Sequence, residues 1–209
     1  MTTFLQLHAL IDYPAANANR DDAGRPKTML YGGAQRLRLS SQSLKRAIRF
    51  SPIFAERVGG ALGIRTAYSA HALVERLEHR GLSPAEAIAR AATALEHDRI
   101  GKVRAGTAQT EQLIHMGPDE LARLEALADR LMASDTLDDK AMLVLTDRPR
   151  AADIAMFGRM LADQPRHNVE AAVQIAHAFT THRAVVEDDF YTAIDDRGGL
   201  GAAFVGVAQ

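Results

Sequence analysis

A long helical stretch separates two strand-patterned ends of this sequence, and that division constrains the fold more than any other feature. From about Gly59 to Arg150, Ala, Leu, Glu and Arg recur at the spacing of amphipathic helices. Ser83-Pro84-Ala85-Glu86 is a capping box with proline at the first helical position, which predicts a helix to about His97. Further helices are expected over His71 to His79 and from Gly117 onward. We therefore expect an α+β protein in which a helical insertion interrupts a ferredoxin-like domain.

The N-terminal part carries two segments with strand-like alternation. Phe4 to Tyr13 alternates well enough to predict a strand with one buried face. After a loop and the Gly32-Gly33 turn, Gln35 to Leu39 predicts a short extended segment. In that segment Arg36 and Arg38 lie on one side.

The C-terminal part adds three predicted elements. The sequence from Ala152 to Leu161 is strand-like, with Gly158 permitting a bulge or the close approach of another backbone. Asn168 is a candidate N-cap for a helix that begins at Val169. A last strand is expected over Phe190 to Ile194. These patterns predict three segments along the chain: residues 1–58, residues 59–150 (the helical insertion) and residues 151–209.

Positive charge is concentrated between Arg20 and Arg49. This window holds eight Lys or Arg residues and two acids, so it carries a charge of +6 in a chain whose net charge is -1. The remaining 17 basic and 24 acidic residues give the rest of the chain a charge of -7. Such a concentration suits a polyphosphate ligand such as RNA, bound at a patch or groove.

The end of this window predicts a helix suited to binding phosphates. Ser40 and Ser41 are candidate N-caps for a helix from about Gln42 to Phe50. Its free backbone N–H groups, the Ser hydroxyls and the Gln42 amide could cradle successive phosphates of one strand. A solvated amphipathic helix with ordinary surface arginines is the alternative that charge spacing leaves open. The helix face opposite the apolar residues carries Lys45, Arg46 and Arg49.

Several classes of site are unsupported by the sequence. The absence of Cys excludes disulfides and thiolate metal sites. No HExxH motif, Walker A loop or GxSxG motif occurs, and the spacing of His177 and His182 does not place them on one helix face. We therefore expect no cofactor and no bound metal. Because the sequence has no 18-residue apolar run and no signal-peptide pattern, we expect a cytoplasmic protein without a membrane partner.

Several sequence segments, taken in order, resemble one protein family. These are NRDD at 19–22, YGG at 31–33, RLRLSSQSLKRAIR at 36–49, GRM at 158–160, IAHAFTTH at 175–182 and DDFYTAIDD at 188–196. They resemble the CasC/Cse-type family, the repeated backbone subunit of the type I-E CRISPR Cascade complex within the RAMP group of RNA-binding proteins. The resemblance is specific in the two ends and general in the helical middle.

The resemblance implies a fold and a function. It implies an RRM-like palm carrying a helical finger domain, with the start of a thumb-like hairpin. It also implies a non-catalytic subunit that polymerises as a helical filament along the guide RNA (crRNA) beside other Cascade subunits. The bound guide would then present its bases for pairing with target DNA. Since family members continue well beyond the length of this chain, we expect a version truncated at the C-terminus.

The resemblance also assigns residues to RNA contacts. Arg159 and Met160 match a segment expected near the bases, where an unbranched Met is suited to wedging beside a base. Tyr191 matches an aromatic residue at the base of the thumb, and a place in a strand core is the alternative. The cationic extended segment adds Arg36 and Arg38. Residues matching positions expected along the guide backbone are Arg20, Ser40, Gln42, Lys45, Arg46 and Arg49.

Two other functions stay open at this point. Related backbone subunits of type III CRISPR complexes cut target RNA with an Asp in a loop after the first strand, and Asp21 and Asp22 lie in such a loop. Adjacent acids without a third ligand make a poor Mg²⁺ site, and a turn whose carboxylates cap backbone N–H groups explains the pair equally. A generic helical interaction protein is the other alternative, and it predicts no RNA binding at moderate salt.

Overall fold

The structure, a computed structural model, describes residues 3–97, 101, 103, 104, 106, 107, 109–133, 143–162, 164–195 and 199–208. Side chains are described for these residues except 96, 97, 188–195 and 199–208. The helices are α1 (Ser41–Arg49), α2 (Pro52–Val58), α3 (Ser69–His79), α4 (Pro84–His97), α5 (Pro118–Ala133) and α6 (Ala152–Phe157). The strands are β1 (Thr28–Tyr31), β2 (Ala34–Leu39), β3 (Ile64–Thr66), β4 (Ile114–Met116), β5 (Ala178–Phe179), β6 (Val186–Asp195) and β7 (Gly199–Ala208). The expected α+β class is confirmed.

The chain forms two compact units. The first unit comprises Met1–Ala47 and Ile175–Gln209, and the second comprises Ile48–Gln174. The predicted boundaries at residues 58 and 150 differ from this division, and the three-segment organisation stays a prediction. The RRM-like palm and the finger domain also stay predictions.

The first unit is built on a three-stranded antiparallel sheet in the order β1-β2-β5. Gly32 and Gly33 have φ angles of 62° and 73°, and they join Tyr31 to its cross-strand partner Ala34. Positive φ at both central residues is the geometry of a tight hairpin turn that matches the twist of its strands. β6 and β7 form a separate antiparallel hairpin, paired from Val186 and Ala208 to Asp195 and Gly199. This hairpin lies where the thumb-like hairpin was expected, and its identity as a thumb stays a prediction.

The second unit contains the main hydrophobic core of the described side chains. Its buried residues come from α3, α4, α5 and β4, and they include Leu73, Leu77, Leu95, Leu124, Leu127 and Met116. The predicted capping box is confirmed at the start of α4: Glu86 N lies 3.4 Å from Ser83 Oγ, and Ser83 N lies 3.1 Å from Glu86 Oε2. Burial of leucines at three- and four-residue spacing explains why this part of the chain folds as packed helices.

The strand predicted for Phe4 to Tyr13 is wrong. The segment has no assigned secondary structure, and its apolar side chains are exposed, with Leu7 86% and Leu10 88% accessible. A strand needs a neighbouring strand to accept and donate its backbone hydrogen bonds. Among the described residues, none pairs with this segment as a strand.

The strand predicted for Ala152 to Leu161 is also wrong, because its first half is helix α6. Helix α6 ends where Gly158 donates from its backbone N–H to Ile154 O at 2.8 Å and adopts a φ of 78°. Ile154 is buried within α6, whereas the buried Leu161 lies beyond the end of the helix. Gly158 ends the helix, and the close approach of another backbone that we expected there is confirmed, because a Cβ at this position would lie 2.9 Å from Val169 O.

The helix predicted from Val169 is absent, and residues 169–177 are not helical. In the second unit, Ala172 N donates to Ala155 O at 3.1 Å and Val173 N donates to Met156 O at 2.9 Å. In the first unit, β5 pairs with the end of β2. These long-range backbone hydrogen bonds replace the local bonds of a helix, so tertiary contacts override an Ala-rich sequence.

Candidate nucleic-acid interface

The first turn of α1 is closed by two side chains of the first unit. Asn19 Oδ1 accepts a hydrogen bond of 2.8 Å from Ser40 N, and His177 Nδ1 accepts one of 2.9 Å from Ser41 N. Ser40 is buried, and its Oγ accepts from Ser43 N at 3.3 Å, which confirms its expected capping role. These backbone N–H groups are therefore already bonded, and the open phosphate cradle that we expected is partly filled by Asn19 and His177.

Neither Asn19 nor His177 was expected at the start of α1. Both lie in segments that carry the family resemblance, NRDD and IAHAFTTH, but neither residue was assigned a role. An Asn preceding a basic loop and a His in an apparent helix give no local sign of capping a helix elsewhere. Only the fold brings them to α1.

The two arginines of β2 have different surroundings. Arg36 donates from Nε to Tyr31 O at 3.0 Å and from Nη1 to Thr180 O at 2.9 Å, so it ties the hairpin to the segment after β5. Arg38 is half-buried, and its Nε is buried without a hydrogen-bond partner among the described residues. A buried donor without an acceptor is costly, which suits Arg38 to an incoming anionic oxygen.

Arg38 lines a cavity of about 820 Å³ within the first unit. Lys27 and Asn17 also line it, and Asn17 Oδ1 is a second buried polar atom for which the described part of the chain offers no hydrogen-bond partner. The rest of the lining comes from residues 9–16, 18, 19, 26, 37, 39, 44 and 178–182. The lining thus combines two cations, one carboxylate (Asp12) and several polar groups with apolar side chains.

The other residues of the first unit that we expected to contact RNA lie at or near the surface. Arg20 and Arg46 are exposed, Lys45 is half-buried and Gln42 is exposed. Arg20 lies beside Pro26 in an isolated antiparallel bridge that closes the basic loop. The fold therefore leaves Arg20 and Arg46 accessible to a large ligand, and their contact with RNA stays a prediction.

Arg49 lies in the second unit and forms a network with acidic and imidazole groups. Its Nε donates to Asp153 Oδ2 at 2.7 Å, and one Nη donates to Gly63 O at 3.3 Å. His115 Nε2 lies 2.9 Å from the same Asp153 oxygen. Burial raises the pKa of Asp153, but hydrogen bonds with His115, Gly63 N–H and Arg49 outweigh burial and hold it well below its ordinary value. Arg49 is thus a structural partner of a buried carboxylate.

Arg159 is also buried by the second unit. It is 4% exposed, and its Nη1 donates to both carboxylate oxygens of Glu120 at 2.7 and 2.9 Å. Further donors bind His167 O at 3.0 Å and Thr146 O at 2.6 Å. We expected this side chain to contact RNA, whereas the fold surrounds it with protein acceptors.

Of the two other predicted contact residues, Met160 is described with its side chain and Tyr191 only by its backbone. The Met160 side chain is 83% exposed, directly after the buried Arg159. Tyr191 lies in β6 opposite Ala203, and its side chain lies outside what the structure describes. An accessible Met160 fits the expected contact with bases, which stays a prediction.

The loop that contains Asp21 and Asp22 forms a turn. Asp21 Oδ1 accepts hydrogen bonds from Ala23 N at 3.0 Å and Arg25 N at 2.8 Å. These bonds are those of a carboxylate that caps backbone N–H groups.

Within the part of the chain that the structure describes, no three His, Asp or Glu side chains are grouped as a metal site requires. The same part of the chain has no helix that is both long and apolar enough to span a bilayer.

The family model described as CT1975-like protein matches residues 5–209. A solved chain of a CRISPR RNA-guided surveillance complex, pre-nicking, is similar with a TM-score of 0.71 and 32% sequence identity, covering 93% of this chain and 59% of that chain. A chain of a CRISPR RNA-guided surveillance complex has a TM-score of 0.66 and 32% identity, covering 94% and 60%. No curated protein matches.

The chain spans about three-fifths of the length of the solved chains it matches. The family model nevertheless covers nearly all of the present chain. The resemblance drawn from the motifs is confirmed: the chain belongs to the CT1975-like protein family of CasC-type CRISPR Cascade subunits.

Proposed function

We propose that this chain is a non-catalytic backbone subunit that binds the guide RNA of a CRISPR surveillance complex. Several copies assemble along the crRNA beside other Cascade subunits, and the guide presents its bases for pairing with target DNA. The observation that carries the proposal is the match of 93% of this chain, at 32% identity, to a chain of a CRISPR RNA-guided surveillance complex.

The charge distribution of the first unit supports phosphate binding. Arg20 and Arg46 are exposed, and Arg38 lines an open cavity with a buried Nε that has no acceptor among the described residues. Contacts of this kind neutralise phosphates and fix the position of a strand without selecting its sequence. The proposed subunit therefore binds guides of any sequence with similar affinity.

The capped start of α1 changes which groups bind the phosphates. Asn19 and His177 already accept hydrogen bonds from the backbone N–H groups of Ser40 and Ser41. Side-chain cations therefore make most of the proposed contacts with phosphates. Lys45 and Arg46 follow within the same helix. This arrangement predicts a strong dependence of RNA affinity on salt.

Fluorescence anisotropy with labelled single-stranded RNA at several salt concentrations tests the proposal. Two unrelated RNA sequences should bind with similar affinity, and Arg46→Ala should reduce the slope of log K against log salt by about 0.7, the value for one lost single-strand contact. Arg123→Ala, which removes an exposed cation from α5, is the matched control and should leave the slope unchanged. Absence of binding, or equal slopes for Arg46→Ala and the wild type, would contradict the proposal.

A further inference from the structure

Two exposed aromatic side chains lie in contact on one face of the sheet in the first unit. Tyr31 is the last residue of β1, and Phe179 is the last residue of β5. Their ring centroids are 4.8 Å apart with the ring planes inclined by 45°, yet Tyr31 is 55% exposed and Phe179 is 42% exposed. Aromatic side chains contribute most when they are covered, so an exposed pair leaves apolar surface available to a ligand.

Two arginines share this face of the sheet. Ala34, Arg36 and Arg38 alternate along β2 and therefore lie on the same side of the strand. Directly paired residues of antiparallel strands also lie on the same side. The register pairs Tyr31 with Ala34, and it pairs Phe179 with Arg38. The face thus combines two aromatic rings with two guanidinium groups.

Arg36 fixes the backbone that carries the two rings. Its Nε donates to Tyr31 O at 3.0 Å, and its Nη1 donates to Thr180 O at 2.9 Å. Thr180, which directly follows Phe179, also donates from its backbone N–H to Leu37 O at 3.1 Å. Because two donors of Arg36 are used inside the protein, this arginine is a positioning residue for the rings.

Arg38 has a donor that the fold does not use. Its Nε is buried and has no acceptor among the described residues. Arg38 and Phe179 both line the cavity of about 820 Å³, where the lining has a second cation, Lys27, and one carboxylate, Asp12. An unpaired buried donor is costly, so a ligand that brings an anionic oxygen gains a hydrogen bond beside the aromatic pair.

We propose that Tyr31 and Phe179 form a stacking platform for one base of a single-stranded RNA, while Arg38 donates to a phosphate oxygen of the same strand. The inference rests on the proposed RNA-binding function and adds a contact with a base to the contacts with phosphates. Every base has a flat π face, so stacking on aromatic side chains is tolerant of sequence. The stacking platform therefore suits a subunit that accepts guides of any sequence.

RNA strands with and without bases test this inference. Fluorescence anisotropy compares an oligouridylate, whose bases stack little on one another, with an abasic ribose-phosphate strand of the same length. Both strands carry the same number of phosphates, so a protein that contacts phosphates alone binds them equally. The wild-type chain should bind the oligouridylate at least about fivefold more tightly, which is the lower value for one stacked base.

Variants that remove a ring identify the site of stacking. Tyr31→Leu and Phe179→Leu keep an apolar side chain, and each should weaken binding of the oligouridylate by about fivefold or more. Binding of the abasic strand and the salt slope should stay unchanged because no charge is lost, which also shows that the variant is folded. Tyr31→Phe keeps the ring and should retain wild-type affinity. Leu30→Ala, which truncates an exposed apolar residue on the opposite face of the same hairpin, is the matched control.

Replacement of Arg38 tests the contact with phosphate separately. Arg38→Gln should reduce the slope of log K against log salt by about 0.7 for both strands, the value for one lost single-strand contact. The ratio of the two affinities should stay at its wild-type value, since both rings remain. A slope that Arg38→Gln leaves unchanged overturns the role of this arginine.

The outcomes separate this inference from the proposed function. Equal binding of the oligouridylate and the abasic strand overturns the stacking platform but leaves the proposed function intact. Ring variants that bind the oligouridylate as tightly as the wild type do the same. Failure of the wild-type chain to bind either strand overturns the proposed function and this inference together.

Discussion

Arg49 Nε donates a 2.7 Å hydrogen bond to Oδ2 of Asp153, a carboxylate that is fully buried in the second unit. The Arg49 side chain is itself only 15% exposed. An arginine that the sequence places on a cationic helix face therefore serves first to neutralise an internal charge.

Replacement of Arg49 should destabilise the protein. Arg49→Ala leaves Asp153 buried without its arginine partner, and we expect a loss of about 3 kcal/mol in the free energy of unfolding. Urea unfolding followed by circular dichroism measures this loss. Arg57→Ala, which removes an exposed arginine from the last turn of α2, should change stability by less than about 0.5 kcal/mol. Equal stability of the two variants would contradict the structural role of Arg49.

Stability should fall as the solution is acidified. Burial and the charges of Arg166 and Arg159 lower the pKa of His167 below its ordinary value of 6.5. A lowered histidine pKa means that the folded state binds fewer protons, so stability starts to fall below about pH 6.5. Asp153, whose ordinary pKa is 3.8, is held lower in the fold and adds a second loss below about pH 4.

Urea midpoints between pH 7.5 and pH 3 test this dependence. The signal at 222 nm reports mainly on the second unit, which contains helices α2 to α6. Asp153→Asn should lower stability at neutral pH and flatten the loss below pH 4. A midpoint that stays constant or rises from pH 7.5 to pH 5 would contradict the account.

Gly63 is required by close packing. A Cβ at Gly63 would lie 2.7 Å from His115 Nε2 and 2.9 Å from Met116 O. Gly63→Ala should therefore destabilise the protein by about 2 kcal/mol, since overpacking forces the backbone or the imidazole to move. Gly60→Ala is the control, because a Cβ there meets no atom within 4 Å. Thermal unfolding of both variants compares them, and a Gly63→Ala variant as stable as Gly60→Ala would exclude the predicted clash.

Asp21 should have no catalytic role. Its carboxylate bonds two backbone N–H groups of the turn, so Asp21→Ala should cost about 1 kcal/mol of stability. Incubation with guide RNA, complementary RNA and Mg²⁺, followed by gel electrophoresis, should show intact RNA for the wild type and the variant. Cleavage by the wild type that is lost in Asp21→Ala would instead support the nuclease alternative.

Elements determined by local chemistry could be predicted from the sequence. The capping box at Ser83 and Glu86, the Ser40 cap of α1 and the Gly32-Gly33 turn each depend on residues a few positions apart. Their hydrogen bonds form within one turn of chain, so the sequence pattern contains all the participants.

Features that depend on distant partners could not be predicted. Arg49 and Asp153 are 104 residues apart, and Arg159 and Glu120 are 39 residues apart. Without these partners, both arginines resemble surface cations. The non-helical path after Val169 was missed for the same reason, since its backbone partners at Ala155 and Met156 belong to another element.

The mass of the assembled particle tests the central claim most directly. Native mass spectrometry of the chain mixed with RNA of guide length should show species that contain one RNA and successive whole numbers of subunits. Treatment with ribonuclease should return these species to smaller assemblies. A chain that shows the same mass with RNA, without RNA and after ribonuclease treatment would contradict the claim that it is the guide-binding backbone of a surveillance complex.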